Sequence, residues 1–316
     1  MRVLLTGIAG FIGSHLAERL VARGDDVVGI DNFDGFYDRR VKERNLAALR
    51  GKVDLREGDI LDAELLGKVF AGERFDVVVH LAALAGVRPS LKSPARYQKV
   101  NVEGTTTLAD LAIRAGVPRM VFASSSSVYG DSTAVPFRED DRADVPVSPY
   151  GASKRAGELV LRAMHGVHGL AVSSLRFFTV YGPRQRPEMA VHAFTRAIER
   201  GETITLFGNG TSRDYTYIDD IVTGTLVDGG QRDETFGIYN LGNSHAVALP
   251  ELVGAIARAL GREAKTVAGP QQPGDVQQTF ASLERAEREL AYRPTVRIEE
   301  GVARFVAWYR AQPQDG

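Results

Sequence analysis

The run Thr6-Gly7-Ile8-Ala9-Gly10-Phe11-Ile12-Gly13 constrains this chain more than any other segment. It follows a short apolar run, Val3-Leu4-Leu5, and opens a helical pattern over Phe11 to Val21, so its three glycines sit where a strand turns into a helix. There Gly7 permits a tight turn, Gly10 lets backbone approach a pyrophosphate, and Gly13 lets helix and strand pack closely. The helix N-terminus offers free N–H groups and a partial positive charge to phosphate. Gly7, Gly10, Phe11, Ile12 and Gly13 are therefore candidate cofactor contacts. Asp31 follows the second apolar run, 18 residues beyond Gly13. A carboxylate there accepts both hydroxyls of an adenosine ribose and repels a 2′-phosphate, which favours NAD over NADP. Asp59, in Gly58-Asp59-Ile60, would stand near the adenine, with an ordinary turn aspartate as the alternative.

Further runs at Val27–Ile30, Val53–Leu55, Val77–Val79, Met120–Phe122 and Ala171–Arg176 are short and apolar, and most are rich in β-branched residues. Helix-length segments separate them, clearest at Ala95 to Ala115 and Tyr150 to Met164, with a later helix at Ile298 to Tyr309. Strands buried on both faces look like this, which predicts an α/β fold: a doubly wound parallel sheet of Rossmann type. Beyond residue 176 the alternation fades into turn-rich stretches such as Gly208-Asn209-Gly210. Residues 1–176 are read as a cofactor domain and 177–316 as a smaller mixed α/β lobe that binds substrate. Part of 213–240 is expected to pack back on the first domain. The charged Arg39 to Arg44 cluster reads as a solvated helix face, and residues 281–290 as an amphipathic packing segment.

The chain has no cysteine, which excludes disulfides, thiolate nucleophiles, zinc–thiolate sites and iron–sulfur clusters. With 39 Lys and Arg against 40 Asp and Glu, it lacks the basic balance of a nucleic-acid binder. Its six histidines form no metal pattern, and no stretch approaches the length of a membrane helix. The N-terminal apolar run is too short for a signal peptide. A soluble cytoplasmic enzyme is expected, without a metal and without nucleic-acid or membrane partners.

Tyr150-Gly151-Ala152-Ser153-Lys154 places a phenol and an ammonium one turn apart on a predicted helix. A free tyrosine titrates near ~10 and is a poor base at neutral pH. The lysine charge and the positive nicotinamide ring both favour its phenolate, making Tyr150 a plausible general base for a substrate hydroxyl. Ser124-Ser125-Ser126-Ser127 comes straight off the fifth strand, where ligands bind in such sheets. The bland alternatives are a surface Tyr–Lys pair and a polar turn.

These residues belong to a longer set: TGIAGFIGSHL, DNFDGFYD, GDI, HLAALAGVR, NVEGT, ASSSSVYG, SPYGASK, RFFTVYGPRQRPEMA, GNGTSRDYTYIDDIV, YNLGN and PGDV, in that order. In this the chain resembles the extended short-chain dehydrogenase/reductases, and among them the NAD-dependent sugar-nucleotide epimerases. The resemblance implies that Ser125, Tyr150 and Lys154 are catalytic: Tyr150 takes the C4-hydroxyl proton while hydride passes to tightly held NAD, and Lys154 holds the nicotinamide ribose. The 4-keto sugar turns about its link to UDP, and hydride returns to the other face. Cofactor contacts are implied at Asn32, Asp59, Ile60, Leu81, Ala82, Ala83, Asn101, Ser124 and Phe177. Phe207, Arg213 and Asp275 match positions that hold the UDP. A homodimer through the Ala95–Ala115 and Tyr150–Met164 helices is also implied.

Three residues bear on which sugar. Ser127 stands before Val128-Tyr129-Gly130, where related dehydratases and decarboxylases carry Glu. Thr179 stands where UDP-galactose 4-epimerases usually have Asn, and Arg186-Pro187-Glu188-Met189-Ala190 resembles a segment of UDP-glucuronate 4-epimerases. Oxidising glucuronate at C4 gives a β-keto acid that loses CO₂ when its carboxylate bond aligns with the ketone. A UDP-glucuronate 4-epimerase must therefore grip that carboxylate, and Arg186, Thr179, Ser127 and Arg88 are the candidates. The alternative for Arg184 or Arg186 is the UDP diphosphate or solvent. Gln272 replaces an arginine common in the family. The competing readings are a UDP-glucose or UDP-N-acetylglucosamine 4-epimerase and, outside enzymes, an NAD-binding scaffold or sensor.

Overall fold

The computed structural model describes residues 1–131, 134–208, 210–231, 235–270, 272, 274 and 276–312. Its strands are β1 (Arg2–Thr6), β2 (Asp26–Asp31), β3 (Asp54–Glu57), β4 (Val77–His80), β5 (Arg119–Ser125), β6 (Ala171–Phe177), β7 (Thr179–Tyr181), β8 (Thr203–Phe207), β9 (Ser212–Tyr217), β10 (Phe236–Leu241), β11 (Ala246–Ala248) and β12 (Lys265–Gly269). The helices of the first half are α1 (Phe11–Arg23), α2 (Arg39–Asn45), α3 (Ala63–Gly72), α4 (Val87–Lys92), α5 (Pro94–Gln98), α6 (Gly104–Arg114) and α7 (Pro149–His168). Those of the second are α8 (Ala190–Glu199), α9 (Ile218–Gln231), α10 (Leu249–Leu260), α11 (Glu284–Leu290) and α12 (Ile298–Ala311).

Seven strands form one parallel sheet in the order β10-β6-β5-β4-β1-β2-β3. The period-two alternation of β-strands divides its side chains between two cores. Val3, Leu5, Val27 and Val79 face a cluster with Leu16 and Leu20 of α1, whereas Leu4, Val28 and Val78 face one with Leu66, Leu108 and Leu161. The first cluster continues without a break into Tyr181, Leu252 and Phe305, so the two lobes share apolar packing. The smaller lobe adds a three-stranded sheet, β11-β9-β7, and a two-stranded one, β12-β8, with α10 packed on α8 and α12. Chain order reverses direction in the large sheet between β1 and β4, and there the carboxyl ends of the strands open a crevice. The chain crosses back after the smaller lobe begins: α9 packs on α1, and β10 pairs with β6 as the edge strand.

Two expectations need correction. The helix read over Ala95 to Ala115 is interrupted by a π-turn at Lys99–Glu103. Its cause is Asn101, whose buried amide accepts from Leu84 N (2.8 Å) and donates to Leu84 O (2.9 Å) and Ser153 Oγ (2.9 Å). Those bonds pull one residue out of helical register, and such bulges recur at functional sites. The Arg39 to Arg44 cluster is not uniformly solvated. Lys42 is 7% exposed and reaches Asp31 Oδ1 at 3.2 Å, because α2 lies against α1 and the loop after β1, where Asn45 Nδ2 donates to Ala9 O (3.0 Å).

Candidate active site

One cleft of about 690 Å³ runs across the carboxyl ends of the sheet. Gly7, Gly10, Phe11, Ile12 and Gly13 line its floor. Gly7 has φ +75°, and a Cβ on Gly13 would lie 2.1 Å from Gly7 O, so these turns require glycine. Gly10 precedes α1 as its cap residue with no side-chain cap bond, and the first turn has no acidic residue, which leaves its N–H groups for an anion.

Asp31, Asn32, Asp59 and Ile60 line one end. Asp31 accepts from Ala9 N (3.1 Å) and Phe33 N (2.8 Å) as well as from Lys42, and Asn32 Nδ2 donates to Asp59 Oδ2 at 2.8 Å. Leu81, Ala82 and Ala83 form a wall fixed from behind. There Ala82 N–H donates to Thr6 Oγ1 and Thr105 Oγ1 donates to the Asn101 carbonyl. The His80 ring lies between them, 2.7 Å from Thr6 Oγ1 and 3.0 Å from Thr105 Oγ1. Since Thr105 already gives its proton to Asn101, Nε2 carries the imidazole hydrogen and Nδ1 accepts from Thr6. Burial, followed by the Lys154 charge, pushes His80 down to about 3, so it is neutral. Asn101 acts behind this wall, holding Leu84, and does not line the cleft.

At the centre lie Ser124, Ser125, Ser127, Tyr150 and Lys154. Ser148 caps α7 by accepting from Gly151 N (3.1 Å), which puts Tyr150 in the first turn, where the helix dipole favours an anion. Tyr150 and Ser125 line the same part of the cleft, and Ser125 Oγ accepts from Ser127 N (3.2 Å). Burial raises the Tyr150 phenol, while Ser125 and then the Arg186 charge pull it back. Lys154 Nζ donates to Ala123 O at 2.7 Å, and burial lowers it to about 7 against the opposing charge of Glu158. Ser124 turns its hydroxyl to Glu158 Oε1 at 2.5 Å.

Phe177, Thr179, Arg186 and Arg213 also line the cleft. Arg186 Nε lies 3.2 Å from Glu188 Oε1, and its guanidinium rests 5.1 Å from the Phe36 ring centre. Arg184 instead turns to Glu18 (2.7 Å) on α1. Arg88 and Phe207 do not line the cleft but stack on each other, with the guanidinium 5.5 Å from the ring centre. Asp275 lies outside the described residues.

A family model, the NAD dependent epimerase/dehydratase family, matches residues 3–242. The chain belongs to this family. It is 44% identical to UDP-glucuronate 4-epimerase 3 of Arabidopsis thaliana, over 97% of this chain and 76% of that protein. It is similar to the crystal structure of a UDP-glucuronic acid 4-epimerase from Bacillus cereus in complex with UDP-glucuronic acid and NAD (TM-score 0.92, 33% identity, 98% of this chain and 99% of that one). It is also similar to a UDP-glucose 4-epimerase from Thermotoga maritima with UDP-glucose (TM-score 0.90, 33% identity, 98% and 99%). The cleft suits the dinucleotide that the family name specifies. A glycine turn meets an uncapped helix for the pyrophosphate, and Asp31 at the end of β2 suits the adenosine ribose.

Sequence reasoning missed Lys42, His80, Glu158, Arg176 and Phe36. For Glu158 a signal exists, since it continues the i, i+4 row of Tyr150 and Lys154. Arg176 is a lone cation ending an otherwise uncharged strand. The others are settled by contacts between distant segments.

Proposed function

We propose that this family member is a UDP-glucuronate 4-epimerase that interconverts UDP-glucuronate and UDP-galacturonate. The observation that carries this reading is Arg186, which lines the cleft and whose charge acts on Tyr150. C4 and C5 are adjacent ring carbons, so a cation close to the base at the C4 hydroxyl is within reach of a carboxylate on C5. There it makes charge-assisted hydrogen bonds and holds the carboxylate bond out of line with the C4 ketone. Thr179 and Ser127 stand on the same cleft and suit the remaining oxygens.

NAD, when bound, supplies the acceptor of the C4 hydride and its return to the opposite face of the sugar. Tyr150 takes the C4-hydroxyl proton and gives it back, Ser125 aligns that hydroxyl, and Lys154 supplies the charge that favours the phenolate. On this reading residues 1–176 hold NAD and 177–316 the UDP-sugar, with Arg213 near the diphosphate. Two chains pair through α6 and α7, a step that size-exclusion chromatography with light scattering tests. The absence of cysteine and the nucleotide ligands suit a cytoplasmic enzyme.

The experiment is an NMR time course with UDP-glucuronate, UDP-glucose and UDP-N-acetylglucosamine. Formation of UDP-galacturonate without CO₂ is the expected result. Turnover of the neutral sugars alone keeps the mechanism and overturns the substrate. Bound NAD with no turnover of any of the three revives the sensor reading.

A further inference from the structure

Two consecutive residues at the end of β5 are tied to α7 one turn apart: Ala123 O accepts from Lys154 Nζ (2.7 Å) and Ser124 Oγ donates to Glu158 Oε1 (2.5 Å). The next residue, Ser125, lines the cleft together with Tyr150. Tyr150, Lys154 and Glu158 thus form one row on α7, of which the reaction described above uses the first two. Glu158 is 1% exposed and carries a full set of partners. Arg176 Nε and Nη2 each reach it at 2.9 Å in a fork, and Arg155 Nη1 reaches Oε2 at 2.9 Å. Arg176, itself 1% exposed, lies 4.6 Å from the Tyr129 ring centre. A buried pair with this geometry is costly in desolvation and is a weak stabiliser, so its place directly behind the reacting pair asks for another account.

We propose that Glu158 is a positioning residue for the reaction: held by Arg176, its carboxylate fixes Ser124 beside Ser125 and keeps Lys154 an ammonium behind Tyr150. The inference rests on Tyr150 and Lys154 acting as the epimerase reading assigns them. The need for such a group follows from what surrounds Lys154. β4 offers neutral His80, and β5 offers the Ala123 carbonyl and the Phe122 ring, 5.0 Å from Nζ. β6 contributes Arg176, whose charge and that of Glu158 offset each other, so loss of the carboxylate would also leave Arg176 as an unpaired buried cation. On α7 itself stand Tyr150, Arg155 and Glu158. Burial alone drives Lys154 down and Tyr150 up, an order in which the lysine loses its proton first and leaves the phenolate without a cation. Glu158 is the carboxylate that opposes this.

The test is Glu158→Gln in the NAD-loaded enzyme, with lysines labelled at Cε and the Lys154 signal assigned by its loss in Lys154→Met. The expected result is a fall of roughly one unit in the Lys154 titration midpoint, with kcat near neutral pH falling about tenfold and KM little changed. Glu158→Asp should recover part of both. Should Glu158→Gln fail to fold, Glu158→Asp is read against wild type instead, with part of the same fall in the Lys154 midpoint expected and an unmoved midpoint overturning the proposal. An unmoved Lys154 midpoint in a folded variant overturns the proposal, even where thermal stability falls. This titration needs no substrate, so its failure is distinct from a failure of wild-type protein to turn over UDP-glucuronate, which strikes the epimerase reading instead.

Discussion

Arg186→Met is the sharpest perturbation of the substrate assignment, because it keeps an unbranched apolar side chain and removes the guanidinium with its charge. The Arg186 side chain is 19% exposed and pairs with Glu188, itself 48% exposed. A partly exposed pair of this kind contributes ~0–1 kcal/mol. A hydrogen bond from a charged donor to a sugar carboxylate contributes ~1.5–3 kcal/mol. Binding UDP-glucuronate exchanges the first for the second, so the net loss on substitution is about 1–2 kcal/mol, or roughly 5–30-fold in kcat/KM. UDP-glucose has a hydroxymethyl group at that carbon and should lose no more than about twofold. The assay is kcat/KM for both sugars by NMR, with released CO₂ measured alongside, since a loosened carboxylate also escapes as CO₂. Equal losses on the charged and the neutral sugar would refute the reasoning and assign Arg186 to the diphosphate common to both.

Tyr150→Phe should abolish epimerisation while NAD stays bound, checked by cofactor absorbance of the purified protein; turnover at the wild-type rate would remove Tyr150 as the base. Lys42→Met leaves Asp31 buried without its cation, so unfolding in urea should show a loss of about 3–5 kcal/mol together with weaker NAD retention, and a loss well below that range would mean the pair is solvated. His80 is held down to about 3 by burial, below the 6.5 of a free imidazole. In that window the unfolded chain binds a proton that the folded one does not, so this group lowers stability as pH falls, by up to about 1.4 kcal/mol per unit. His80→Asn should flatten the stability curve between those values relative to wild type, and parallel curves would show that His80 titrates normally.

What the sequence reveals and what it hides follow from the range of the interactions involved. The sheet was legible because its cause is local: runs such as Val77–Val79 cannot be solvated on either face, and a glycine turn between strand and helix has few uses. Tyr150 and Lys154 were legible because helical spacing alone puts them on one face. Lys42 was not, since its charged neighbours make α2 look solvated, and only the approach of α2 to Asp31 buries that one side chain. The break at Lys99–Glu103 hides for the same reason. Nothing within the segment forbids a continuous helix, and the pull comes from Leu84 and Ser153, on separate segments. Arg88 and Phe207 show the converse limit. Each matches a substrate-contacting position by motif, yet motif matching carries no information about whether two such side chains satisfy one another, as they do here across α4 and β8. A ligand that took either side chain away from the other would have to replace that contact. Their stacking is a contact between distant segments, which a sequence motif leaves out.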